Sequence, residues 1–125
     1  MLLSTVLVLN LCHWAGDYTH LSTSWMIKAK QYGKPLTPIL CHALVHTVLM
    51  GVAMWIMHNK EKALFTAAMQ LPTHFIIDVA KGRLNQYKPT LQHPNNRFYW
   101  WVFGLDQYLH HAVILITAMG ICKCR

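Results

Sequence analysis

The chain holds only four acidic residues, and three of them, Asp17, Asp78 and Asp106, have a histidine four positions away: His13, His74 and His110. Positions i and i+4 lie on one face of a helix, one turn apart, so each pair can aim two side chains at one point. His42 and His46 repeat the spacing without an acid. With nine histidines in the chain, a given position would have one at plus or minus four about one time in seven, so three hits from three acids is roughly a one-in-several-hundred coincidence.

Imidazole with carboxylate is a donor set for zinc, manganese or iron, whereas calcium and magnesium want mostly oxygen. The candidate metal ligands are therefore His13, Asp17, His42, His46, His74, Asp78, Asp106 and His110. They outnumber the donors of one tetrahedral ion, so one or two transition-metal ions per chain are expected, zinc first and manganese or iron as alternatives. Ferritin-like bundles show that four helices can project carboxylates and histidines inward around two ions. The competing account is that the pairs are hydrogen-bonded glue between helices. A single buried histidine favours that account; eight residues together favour metal. Gln70 and Gln107 are expected to donate hydrogen bonds to the ligands.

The elements that must carry these residues are apolar. No Asp, Glu, Lys or Arg occurs from Pro35 to Met57, and only Asp106 from Phe98 to Cys122; each run exceeds the roughly 20 residues that cross a bilayer. Ala63 to Ala80 is apolar except for Asp78 and contains Pro72, which a membrane helix tolerates where neighbours satisfy the freed carbonyl. Met1 to Cys12 is uncharged and followed by His13, Asp17 and His20. A cleaved signal peptide fits it poorly, having neither a positive start nor a small-residue cleavage pair, so it is expected to be a retained span. With 54% hydrophobic and 12% charged residues, the chain reads as all-α: a single transmembrane domain, 1–125, folded as an integral membrane four-helix up-down bundle. Its spans are expected at about 2–26, 36–57, 63–81 and 98–121. In that topology the three aspartates lie nearer one membrane face and their histidines one turn deeper.

All eleven basic residues lie outside the apolar runs, so the net charge of +7 marks membrane flanks and not a nucleic-acid face. Seven fall after the first and third helices, which assigns those loops to the cytoplasm by the positive-inside rule. Gly82 to Arg97, with Pro89 and the run His93-Pro94-Asn95-Asn96, is expected to be a loop or lid at the interface. Trp25, Trp55, Phe98, Tyr99, Trp100 and Trp101 suit an aromatic belt. Cys12 and Cys41 fall in spans and read as small hydrophobes, while Cys122 and Cys124 form a C-x-C at the tail. His58, His93 and His111 are expected in loops or off the inward faces.

The pattern His13-x-x-x-Asp17-Tyr18, Trp25-Met26, Lys30, His42, His74-Phe-x-x-Asp78-x-x-Lys81 and Phe103-x-x-Asp106-Gln107-x-x-His110 runs over nearly the whole chain. It resembles a family of small bacterial and bacteriophage membrane proteins filed as a domain of unknown function, number 3307. The resemblance implies a bacterial inner-membrane location and supports the spans and motif residues, but carries no activity. A Gln is common in that family where this chain has Leu21, so its role would be absent here or pass to His20. The resemblance need not extend to His46.

The leading expectation is a metal-dependent hydrolase acting on a lipid or lipid-linked substrate at the cytoplasmic leaflet. Asp17 would be the general base, His20 its proton shuttle, and Lys81, with Lys28 or Lys30 in reserve, the receiver of an anionic group. The alternatives are a metal-ion or proton carrier, because intramembrane Asp and His also mark ion pathways, and a noncatalytic phage-type module that binds a host membrane protein. The expected surroundings are the lipid bilayer and either a homo-oligomer or that host protein, with no nucleic acid.

Overall fold

A computed structural model describes residues 1–123; Cys124 and Arg125 lie outside the described residues, so of the C-x-C pair only Cys122, at the end of the last helix, is described. The described chain is all-helical: α1 (Leu2–Tyr18), α2 (Ser24–Tyr32), α3 (Leu36–Met57), α4 (Lys60–Tyr87), a short 3-10 helix (Pro89–Gln92) and α5 (Arg97–Lys123). α3 packs between α1 and α4, and α5 closes the ring by packing on α4 and α1. α2 lies against α3 and α4 at one end.

The first span, expected as one helix over 2–26, is split. α1 stops at Tyr18, with Thr19 in an extended conformation and its hydroxyl donating back to the Ala15 carbonyl. Thr23 then caps α2, its hydroxyl accepting from the Met26 amide at 3.4 Å. Hydroxyl side chains compete for backbone groups and favour helix ends over interiors, so Thr19, Ser22 and Thr23 end one helix and start another without a proline or glycine between them.

The third helix is longer than expected. α4 begins on an Asn59 cap, which accepts from the Lys62 amide at 2.9 Å, and carries Glu61 in its first turn, where the helix dipole favours an acid. It runs through Pro72 and continues past Gly82 to Tyr87. The loop expected over Gly82–Arg97 is thus half helix, and Pro89 ends it by disfavouring helical backbone at Lys88.

Gly82 is a contact and not a break. α2 ends on Gly33 in the left-handed region (φ 67°). A Cβ on Gly82 would lie 2.2 Å from the Gly33 nitrogen, 2.4 Å from its Cα and 2.6 Å from the Lys30 carbonyl. Those neighbours are backbone, so neither helix can yield. Gly82→Ala should therefore lower stability by about 1–3 kcal/mol, the usual cost of overpacking, and release α2. Chemical denaturation in detergent checks this, and an unchanged midpoint would mean that α2 is not seated on α4.

Polarity runs opposite to that of a water-soluble bundle. Thr5, His13, His42, His46, Gln70, His74, Asp78, Asp106, His110 and Thr117 are buried, while Leu3, Leu7, Leu11, Val48, Trp55, Ile56, Ile76, Leu105 and Ile116 are exposed. α3 and α4 are each long and apolar enough to cross a membrane. At about 1.5 Å per residue the 22 residues of α3 cover the roughly 30 Å of a bilayer core.

Candidate metal centre

Four helices bring the paired side chains together: His13 and Asp17 from the end of α1, His42 and His46 from the first half of α3, and His74, Asp78, Asp106 and His110 from the middle of α4 and α5. Gly16 makes the approach of α1 possible, since a Cβ there would lie 2.5 Å from Cε1 of the His46 ring. Imidazoles from all four helices stack together, with ring centroids 3.9 Å apart for His46 and His74 and 4.2 Å for His74 and His110.

The donors form two groups that share His74. One is Asp17, His42, His46 and His74; the other is His74, Asp78 and His110, and in each the donor atoms lie within 4.8 Å of one another. In the first group His42 Nε2 and His46 Nε2 are 2.9 and 3.2 Å from Asp17 Oδ1 and 3.2 Å from each other. In the second, His74 Nε2 is 3.4 Å from Asp78 Oδ2 and His110 Nε2 is 3.7 Å from Asp78 Oδ1. Zinc bonds of about 2.0 Å give tetrahedron edges of about 3.3 Å; the first group's spacings are compatible with that and also with hydrogen bonds, whereas the 3.4 and 3.7 Å of the second group are too long for hydrogen bonds and suit donors around an ion.

Hydrogen-bond accounting points the same way. His74 Nε2, both oxygens of Asp78 and His110 Nε2 are buried without a hydrogen-bond partner. His110 Nδ1 lies 2.7 Å from the Asp106 carbonyl, which can only accept, so the proton of the neutral ring sits on Nδ1 and Nε2 offers a lone pair. That lone pair faces a carboxylate oxygen in a buried site. Leaving such groups without hydrogen bonds costs several kcal/mol; the Lys30 ammonium, 3.7 Å from Asp78 Oδ1, offsets part of that cost, and a divalent cation among the donors would offset the rest.

His13 and Asp106 flank the two groups without joining them. His13 Nε2 is 3.3 Å from Asp17 Oδ2 and 3.3 Å from Gln107 Oε1. Asp106 Oδ2 accepts from Lys81 Nζ at 3.2 Å and from Gln107 Nε2 at 3.1 Å, leaving Oδ1 without a hydrogen bond, 3.7 Å from His110 Nδ1. Gln107 thus supports the site as expected, whereas Gln70 donates to Thr117 Oγ1 at 3.2 Å, away from the ligands.

Two sequence expectations do not survive the geometry. His20 is exposed in the turn after α1 and outside both donor groups, so it is not placed to shuttle protons. Asp17, the expected base, has both oxygens engaged: His42, His46 and Lys30 surround Oδ1 and His13 meets Oδ2. His58 bonds Thr5, and His111 bonds Asn10 on the exposed side of α5, both off the cluster as expected.

The residue least visible in the sequence is Lys30. α2 folds back and sets its ammonium 3.0 Å from His42 Nε2, 3.4 Å from Asp17 Oδ1 and 3.7 Å from Asp78 Oδ1. Burial works against its charge, but Asp78, Asp17 and Asp106 outweigh that and raise its pKa above the ordinary lysine value. It lies beside a cavity of about 310 Å³, also lined by Asp17, Lys81, Asn85, Asp106 and Gln107. Lys81 lines that cavity as expected; Lys28 is exposed elsewhere on α2.

Over residues 5–124 the chain matches the family model described as a protein of unknown function, DUF3307. The chain belongs to that family. No curated protein and no solved structure matches it. The DUF3307 match takes in all four long helices and every residue of the two donor groups.

Proposed function

We propose that this DUF3307 chain is an intramembrane metal-binding protein whose centre hydrolyses a lipid or lipid-linked substrate. The observation that carries the reading is the pair of donor groups sharing buried His74 beneath a cavity that opens at one end of the bundle. α1, α3, α4 and α5 are the four spans. Their outward Leu, Val and Ile side chains suit lipid, and exposed Trp25, Trp55, Trp100 and Trp101 suit the interfaces. Lys28, Lys34, Arg83, Lys88 and Arg97 lie toward the cavity end, so the proposed orientation has the cavity facing the cytoplasm of a bacterial inner membrane.

Asp17, His42, His46, His74, Asp78 and His110 would hold one or two ions, zinc by preference. Such an ion lowers the pKa of bound water toward neutrality and polarises an ester or phosphoryl oxygen. Asp106 is the base in this reading: it lines the cavity, stands outside both donor groups, and its Oδ1 makes no hydrogen bond, with His110 Nδ1 3.7 Å away. Lys81 and Gln107 hold its other oxygen.

The carrier alternative needs a polar path through both leaflets. Beyond the donors, away from the cavity, Leu9, Met50, Met54, Ile114, Ala118 and Ile121 form an apolar cluster, which favours a one-sided site, although buried Thr5, Thr66, Gln70 and Thr117 lie in the same bundle and make the flux measurement necessary. The test is to offer zinc-loaded protein phospholipid, lipid-phosphate and acyl-amide substrates, and to measure zinc flux into proteoliposomes. Cleavage of one class without flux is expected. Flux without cleavage would replace the hydrolase with a carrier, and neither would favour a noncatalytic module that binds a host membrane protein.

A further inference from the structure

The cavity over the donor groups carries a charge pattern and an unmet hydrogen bond that metal binding alone does not use. Lys30 and Lys81 both line it, and so does Asn85, whose Oδ1 is buried without a partner although the residue is only 6% exposed. An amide oxygen can only accept, so this atom calls for a hydroxyl or N–H from whatever fills the cavity. Tyr18, Tyr99 and Phe103 supply ring faces around it.

Charge sets the order of events. Without an ion the two ammonium groups are held by acids, Lys30 by Asp17 and Asp78 and Lys81 by Asp106. Three carboxylates against two lysines leave the site net negative and repel an anion. A divalent ion among the donors reverses that balance. It also takes over Asp17, Asp78 and His42, the partners that hold Lys30, so the Lys30 ammonium is free to meet a ligand in the cavity.

Resting on the metal-site reading above, we infer that the cavity receives a phosphate group bearing a neighbouring hydroxyl, and does so only after the metal is bound. The phosphate lies between Lys30 and Lys81, and Asn85 Oδ1 accepts from the hydroxyl. A phosphatidylglycerol headgroup carries both groups, whereas phosphatidic acid and inorganic phosphate carry the phosphate alone.

The test uses the full chain in maltoside micelles, which hold no phosphate. Inorganic phosphate, phosphatidic acid and phosphatidylglycerol are each titrated into zinc-loaded and chelator-treated protein by calorimetry. Saturable binding is expected in the zinc-loaded form only. Lys81→Met should weaken it about ten- to a hundredfold, as loss of a hydrogen bond to a charged group does, while Lys81→Arg should retain it and shows that the fold is intact. Asn85→Ala should weaken phosphatidylglycerol about three- to tenfold and leave phosphatidic acid unchanged. Tighter binding of phosphatidylglycerol than of inorganic phosphate identifies a headgroup with its hydroxyl; equal binding means that no neighbouring hydroxyl is recognised and overturns that part of the inference. Absence of binding in protein that retains zinc, or equal binding by chelated protein or by Lys81→Met, overturns the inference. The hydrolase reading fails separately: phosphate that binds as described but is not released from any ester leaves the receptor standing without the enzyme.

Discussion

His74→Ala should remove essentially all bound metal, a larger loss than any other single substitution causes. His74 belongs to both donor groups, stacks on His46, packs at a tilt against His110, and leaves Nε2 without a hydrogen bond. Asp78→Ala should empty the second group and spare part of the first. His13→Ala should leave the metal in place, because His13 belongs to neither. Since the ligands come from four helices, metal binding is part of the folding free energy. Chelation should lower the melting temperature of the wild type and leave that of His74→Ala unchanged; ligand at a hundred times its dissociation constant contributes about 2.7 kcal/mol. Should His74→Ala and Asp78→Ala both keep a full metal complement, the pairs are structural hydrogen bonds.

Asp106→Asn should reduce turnover about 10²- to 10⁴-fold, the usual contribution of a positioned general base, while holding its metal. The amide keeps the shape and still offers an oxygen to Lys81 and Gln107, but it cannot take a proton from water at Oδ1. Asp17→Asn should behave differently, losing metal and activity together, because Asp17 Oδ1 meets His42 and His46 as a ligand would. Metal content and rate measured on the same preparations separate the two carboxylates. Full turnover by Asp106→Asn would return the role of base to another group.

That these eight residues would face one another was legible in the sequence because helical spacing and the scarcity of acids both constrain them; six of them fall in the two donor groups, and His13 and Asp106 stand beside these. The division of labour among them was not legible. Spacing places side chains on a face, but whether Asp106 or Asp17 keeps a free oxygen depends on which neighbours arrive from other helices. Lys30 was visible only as a motif residue and as a reserve receiver of an anionic group. Its central place follows from the break at Thr19–Thr23 and from the Gly33–Gly82 contact, and both are tertiary facts. A glycine inside a helix costs about 1 kcal/mol relative to alanine and so signals a packing reason; Gly16 and Gly82 carried that signal, but it names no partner. His20 misled because a continued α1 would have kept it on the ligand stripe, and the hydroxyl-rich turn takes it off.

The measurement that bears most directly on the central claim is elemental analysis of the purified chain beside His74→Ala. One or two zinc, manganese or iron ions per wild-type chain, absent from the variant, is the predicted result. Wild-type protein that retains no transition metal after incubation with each of the three would contradict it, and the buried histidines and aspartates would then be a hydrogen-bonded core and not a metal centre.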